Sequence, residues 1–148
     1  MDADAVISLQ PNQTGVKRLL DGLRKAGFQS TYRKGDLSDP VGAVVNIEDN
    51  FRNRVDLLMN IRGMADAVFS RAVEADFMGA QIRVIGIEDF IAMKIFAGSA
   101  KDLNDVTGVL KVSYDRINLP LLKELAQKYG RNALRKLHSL LQENKRSG

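Results

Sequence analysis

The sequence contains no cysteine and only one histidine, His138. Without thiols the chain has neither disulfides, nor a thiolate zinc site, nor a cysteine nucleophile. One imidazole cannot form a multi-histidine site, so any metal would be held mostly by oxygen ligands, which favours Mg²⁺, Mn²⁺ or Ca²⁺. His138 falls beside the apolar stripe of a predicted helix, where a packing role is favoured over a catalytic one.

Long apolar runs are also missing. No stretch approaches the ~20 residues that a membrane-spanning helix needs, and no signal peptide is recognisable, which predicts a cytoplasmic protein. The composition, 45% hydrophobic and 27% charged over 148 residues, is typical of a soluble globular domain. Its net charge of +4 is concentrated near the end, where residues 123–146 carry seven Lys and Arg against two Glu. That segment could bind a phosphate-bearing partner such as nucleic acid, or be a solvated helical face.

Hydrophobic periodicity predicts an α/β (α+β) fold with a mixed sheet flanked by helices. The predicted strands cover 2–9, 28–32, 41–47, 54–59, 72–77 and 81–85. The predicted helices cover 14–25, 64–71, 88–97, 101–111, 120–129 and 131–143. We expect one domain, made of an α/β core over 1–112 and a C-terminal helical extension over 113–148.

Three acidic residues stand in predicted strands. Asp2 and Asp4 share one face of the first strand, because residues two apart in a strand point the same way, and like charges so placed repel. A frayed terminus would account for the pair, and an edge position would account for Asp56 inside an apolar strand. If the two strands are neighbours, however, the three carboxylates converge into an oxygen-rich site for Mg²⁺.

A lysine and two further acids lie on predicted helices. Lys94 shares the apolar stripe of helix 88–97, so its ammonium group either reaches solvent or meets an anion. Asp102 and Asp105 lie together on helix 101–111, where they could compensate the helix dipole or form a surface pair. The anion beside Lys94 is therefore either a nucleotide phosphate or a carboxylate such as Asp102 or Asp105.

The order of these motifs resembles the small nucleotidyltransferase superfamily, and most closely its bacterial members related to abortive-infection toxins. The motifs are D-A-D at 2–4, R-V-D-L-L at 54–58, I-E-D-F-I-A-M-K at 87–94 and K-D-L-N-D-V at 101–106. The resemblance implies that Asp2, Asp4 and Asp56 bind Mg²⁺ or Mn²⁺, with Asp56 also catalytic. It implies that Lys94, Asp102 and Asp105 lie near the nucleotide. The implied reaction transfers a nucleoside monophosphate from an NTP to a hydroxyl group, on RNA or on a protein.

One family feature is missing from the sequence. The family has a Gly-Gly or Gly-Ser turn before the D-x-D pair, where backbone amides hold the nucleotide phosphates, and no such motif stands before Asp2. This predicts a truncated or degenerate form that binds nucleotide weakly or not at all and is inactive in that case, with an exposed sheet edge. The alternative function is a non-catalytic, toxin- or antitoxin-like interaction module that forms a homodimer through that edge.

Overall fold

The computed structural model describes residues 2–9 and 13–147; the side chains of Asp2, Gln13, Lys145 and Ser147 are not described. The chain divides into two compact units, and the boundary along the sequence lies between Arg62 and Gly63. The mixed α/β architecture confirms the predicted fold class. The division into 1–112 and 113–148 within one domain stays a prediction.

The first unit is a four-stranded sheet with one helix. It consists of β1 (Asp2–Val6), α1 (Gln13–Lys25), β2 (Gln29–Lys34), β3 (Val41–Glu48) and β4 (Arg54–Ile61). The strand order is β1-β4-β3-β2, with β1 parallel to β4 and the other pairs antiparallel. After α1 the chain turns at Gly27, whose φ of 86° lies in the left-handed region that glycine adopts without strain.

The two faces of this sheet differ in chemistry because side chains alternate along each strand. On one face Ala43, Val45 and Met59 are fully buried, and the apolar side of α1 packs against them through Leu19, Leu20 and Leu23. The opposite face carries most of the polar and charged side chains of the strands. The hydrophobic core of this unit therefore lies on the α1 side of the sheet.

The second unit begins with a short helix and a hairpin and continues as a helical bundle. Its elements are α2 (Ala67–Arg71), β5 (Val73–Phe77), β6 (Ala80–Val84), α3 (Ile87–Ala97), α4 (Ala100–Ser113), a 3₁₀ turn (Tyr114–Arg116), α5 (Leu119–Lys128) and α6 (Arg131–Ser147). β5 and β6 pair as an antiparallel hairpin. The bundle core is built from buried side chains of α3 to α6, including Ile91, Ile95, Leu110, Leu122 and Leu137.

Local signals in the sequence fix the helix boundaries of this bundle. Gly98 ends α3 in the left-handed conformation, and Ser99 then begins α4 with a capping box shared with Asp102. The Asn118 side chain caps α5. No helix in the described part of the chain is long and apolar enough to cross a membrane.

Candidate functional site

A row of polar side chains crosses all four strands of the first unit. Asp4 on β1 is the register partner of Asp56 on β4, Asp56 pairs with Asn46 on β3, and Asn46 pairs with Thr31 on β2. Register partners project from the same face, and neighbouring strands are about 4.8 Å apart. The two carboxylates therefore stand side by side, as two ligands of one metal ion must.

Asp56 is held by hydrogen bonds within this row. The Asn46 amide donates from Nδ2 to Asp56 Oδ1 over 2.7 Å. The Thr31 hydroxyl lies 3.5 Å from Asn46 Oδ1, on the acceptor side of the same amide. Because Asp56 is half-buried, this single strong donor restricts how its carboxylate can turn. Among the described side chains no cation pairs with Asp4 or Asp56, so their mutual repulsion is not neutralised.

A second row, two residues further toward the start of β4, is charged. Arg54 is the register partner of Asp2 on β1 and of Glu48 on β3, and Glu48 is the partner of Gln29 on β2. Arg54 Nε donates to Glu48 Oε2 over 3.0 Å. The Arg54 side chain is 65% exposed. This row therefore places one guanidinium group next to the carboxylate row.

A cavity of about 460 Å³ covers both rows. Asp4, Asp56, Asn46, Arg54 and Glu48 all line it. Volumes between roughly 300 and 1,000 Å³ are typical of small-molecule sites. The polar face of the sheet thus offers a concave site that combines carboxylates, amides and one guanidinium group.

The donor set of this cavity fits a hard divalent cation. Carboxylate oxygens are the ligands that Mg²⁺ and Mn²⁺ prefer, and Asp4 and Asp56 supply them from adjacent strands. Among the described side chains, no three His, Asp or Glu are placed to hold a metal ion together. The third predicted ligand, Asp2, has its backbone in β1 and its side chain outside the described residues.

The other predicted site residues form a cluster in the second unit. Lys94 Nζ on α3 lies 2.9 Å from Asp102 Oδ1 and 3.0 Å from Asp105 Oδ2, both on α4. Of the two anions considered for Lys94, the structure shows the carboxylates. The hydrogen bond to Asp102 raises the pKa of Lys94 despite partial burial, and that to Asp105 adds to the effect.

Asp102 is held from two sides. Burial alone would raise the pKa of its carboxyl group, but hydrogen bonds from the Ser99 hydroxyl and from Lys94 outweigh burial and lower it. The same carboxylate belongs to the capping box that starts α4. Lys94, Asp102 and Asp105 are thus brought together as an ion-pair cluster, and their predicted role in nucleotide binding stays a prediction.

Sequence reasoning missed two features. Asp89 is only 7% exposed, and both its oxygens accept hydrogen bonds of 2.7 Å from Arg71. Its place in the first turn of α3 indicated only a helix-dipole role, and nothing in the sequence marks Arg71 as its partner. Asn46 could have been found from the β3 segment V-G-A-V-V-N-I-E, because it and Glu48 are the polar residues of an otherwise apolar strand.

Comparison with known families places the chain among nucleotidyltransferase-like proteins. Residues 24–143 match the model of the family described as "Nucleotidyl transferase of unknown function (DUF2204)", and the chain belongs to that family. The matched segment contains Asp56, Lys94, Asp102 and Asp105 and begins after Asp2 and Asp4. No curated protein matches the sequence. The relation to abortive-infection toxins stays a prediction.

Proposed function

We propose that this protein transfers a nucleoside monophosphate from an NTP to a hydroxyl group on RNA or on a protein. Mg²⁺ or Mn²⁺ would be bound by Asp4 and Asp56, together with Asp2. One observation carries the proposal: in a chain of a nucleotidyl transferase family, two uncompensated carboxylates stand side by side in a cavity on an open sheet face. Such a pair is unfavourable without a cation and well suited to one.

The bound cation would polarise the α-phosphate and offset the charge of the leaving pyrophosphate. The acceptor oxygen forms a bond to the α-phosphorus, and the bond from that phosphorus to the bridging oxygen of the β-phosphate breaks. Pyrophosphate leaves with the electron pair of the broken bond. Asp56 accepts the proton of the acceptor hydroxyl, which is the catalytic role we assign to it.

Asn46 supports this role of Asp56. Its Nδ2 donates to Asp56 Oδ1, and an amide NH₂ group is a donor only, so this carboxyl oxygen is held in place as the acceptor. The second oxygen, Oδ2, accepts no hydrogen bond from the described residues. One oxygen is thereby fixed to the protein while the other can serve a ligand.

The predicted nucleotide-binding role of Lys94, Asp102 and Asp105 is part of the same proposal. Two carboxylates beside one ammonium group leave this cluster a formal charge of −1, so it would attract a triphosphate through a divalent cation rather than through Lys94 alone. Asp105 is the most exposed of the three. Asp105→Asn should therefore weaken Mg²⁺-dependent NTP binding in calorimetry. An unchanged affinity for NTP would indicate that the cluster has a structural role only.

The decisive test of the proposed function is NTP binding by calorimetry with and without Mg²⁺. We expect wild-type protein to bind NTP only when Mg²⁺ is present, and Asp56→Ala and Asp56→Asn to lose that binding. Asp66→Asn is the matched control, since Asp66 precedes α2 without capping it through its side chain. Equal binding by wild type and both Asp56 variants, or no binding by any of them, would remove the support for the metal site.

The acceptor can be identified with an NTP labelled at the α-phosphate. Label should appear on RNA or on protein in the presence of Mg²⁺ and disappear in Asp56→Asn. Label that persists in Asp56→Asn would show that the transfer does not use this carboxylate.

A further inference from the structure

We infer that Arg54, oriented by Glu48, binds the β- and γ-phosphates of the nucleotide and hence the pyrophosphate product. This inference rests on the proposed function, because it assumes that the reacting phosphate lies at Asp4 and Asp56. It adds a binding residue that is not among the predicted site residues, and it assigns the substrate a direction along β4.

The contact between Arg54 and Glu48 leaves most of the guanidinium group available. Glu48 accepts from Nε, and the four N–H donors of the two terminal nitrogens have no partner among the described residues. Two terminal N–H groups of one guanidinium match two phosphate oxygens in a bidentate contact. The Glu48 contact therefore orients the Arg54 side chain without using its terminal nitrogens, and most of that side chain is exposed at the cavity.

The spacing of the two rows fits a triphosphate. Arg54 and Asp56 are two residues apart on β4 and point to the same face, a separation of about 6.6 Å along the strand. That is of the order of the distance from the α- to the γ-phosphate in an extended chain. A nucleotide whose α-phosphate lies at the carboxylate row would place its terminal phosphates at the Arg54 row.

The distribution of charge in the cavity also supports phosphate binding by Arg54. Asp4, Asp56 and Glu48 line the cavity as anions, and Arg54 is its one cation among the described lining residues. A divalent cation bound by Asp4 and Asp56 together with Asp2 would offset these carboxylates, but the terminal phosphates extend beyond the first row. Arg54 is the group in the described cavity that can neutralise the charge developing on the departing pyrophosphate.

Binding of inorganic pyrophosphate in excess Mg²⁺, measured by calorimetry, tests this inference. The variants are Arg54→Gln, which removes the charge, and Arg54→Lys, which keeps the charge and loses the planar fork. Arg33→Gln is the matched control, because Arg33 is an exposed arginine on the same sheet face, in register with Val44 and outside the cavity lining. Mn²⁺ binding is measured on every variant in parallel.

We expect Arg54→Gln to weaken pyrophosphate binding about ten- to hundredfold, with Arg54→Lys in between and Arg33→Gln near wild type. Mn²⁺ binding should be unchanged in all three. Unchanged pyrophosphate affinity in Arg54→Gln, or wild-type protein that binds Mn²⁺ but not pyrophosphate, would overturn the inference. If Arg54→Gln does not fold, wild-type affinity in Arg54→Lys would also overturn it. Failure of the proposed function differs, because Mn²⁺ binding would then not depend on Asp56.

Discussion

The two units of this protein use acidic residues in opposite ways. In the second unit the half-buried or buried carboxylates Asp89 and Asp102 each have a cation within 3 Å, namely Arg71 and Lys94. In the first unit Asp4 and Asp56 stand beside each other with an amide, Asn46, as the one described side-chain partner. Asp89 and Asp102 are thus each paired with a cation in the bundle, whereas Asp4 and Asp56 on the sheet are not paired with a cation among the described side chains.

Because of this difference, we expect the two groups of acidic residues to affect different properties, namely stability in the bundle and metal binding on the sheet. Breaking a paired buried charge is costly because the remaining partner stays desolvated without compensation. Removing one of two adjacent like charges relieves repulsion. We therefore expect substitutions at the bundle ion pairs to destabilise the fold, and substitutions at the sheet carboxylates to leave it stable while abolishing metal binding.

The largest expected effect on stability is at Arg71. Arg71→Met leaves Asp89 buried without its bidentate partner and should lower the free energy of unfolding by about 3 kcal/mol in urea denaturation. Lys128→Met is the matched control, since Lys128 pairs with Glu124 on an exposed helix face and should change stability little. Equal effects of the two substitutions would contradict the claim that burial makes the Arg71 pair important.

A smaller loss of stability is expected when Lys94 is substituted. Lys94→Met leaves Asp102 and Asp105 facing each other and should cost about 2 kcal/mol, whereas Lys101→Met, on an exposed residue of α4, should cost little. The measurement is again chemical denaturation at neutral pH.

The contribution of Asp102 should depend on pH in a defined direction. Its folded-state pKa lies below the reference value of 3.8, so the charged form stabilises the fold above that value and the contribution is lost as pH falls through the folded-state pKa. The stability gap between wild type and Asp102→Asn should therefore narrow as pH drops below 3.8. The gap should not narrow on raising the pH to 9, since the pKa of Lys94 is raised above 10.5.

On the sheet, Asn46 is expected to act as a positioning residue. Asn46→Ala frees the Asp56 carboxylate and should weaken Mn²⁺ binding about tenfold, as loss of a partner that orients a metal ligand does. Thr31→Val removes only the 3.5 Å contact to the far side of the amide and should have a smaller effect. A stability loss in Asn46→Ala without a change in Mn²⁺ affinity would make its role structural only.

The smallest expected change has the opposite sign. Without metal, Asp4→Asn should raise the free energy of unfolding by about 0.5 kcal/mol, because it removes the repulsion from Asp56. In saturating Mn²⁺ the wild type should become the more stable form, since ligand binding stabilises only the protein that binds. Thermal denaturation without metal and in saturating Mn²⁺ measures this reversal. An Asp4→Asn variant that is less stable than wild type in the absence of metal would contradict repulsion between Asp4 and Asp56.

Most of the fold could be predicted because its signals are local. Local signals include the apolar runs of β3 and β4, the glycines Gly27 and Gly98, and the capping residues Ser99 and Asn118, and each acts within a few positions of the chain. Their effects do not depend on distant partners, so the described part of the chain contains every predicted helix and strand, with ends shifted by a few residues.

The candidate site could be predicted from the sequence only where a single residue is unusual in its local context. Asp4 and Asp56 are conspicuous as acids in apolar strands, and their adjacency follows from the parallel pairing of β1 with β4. The bond from Asn46, the Arg54–Glu48 contact and the Arg71–Asp89 pair depend on strand register or on helix packing. These are properties of the folded chain that no short motif encodes.

The most direct test of the proposed metal site is Mn²⁺ binding, followed by electron paramagnetic resonance, in wild type, Asp4→Asn, Asp56→Asn and Asp66→Asn. We predict that wild type and Asp66→Asn bind Mn²⁺ with similar affinity, because Asp66 is an exposed carboxylate outside the cavity lining. Asp4→Asn and Asp56→Asn should lose Mn²⁺ binding while remaining folded. Mn²⁺ binding that survives both sheet substitutions, or that is lost in Asp66→Asn with the fold intact, would contradict this assignment of the metal site.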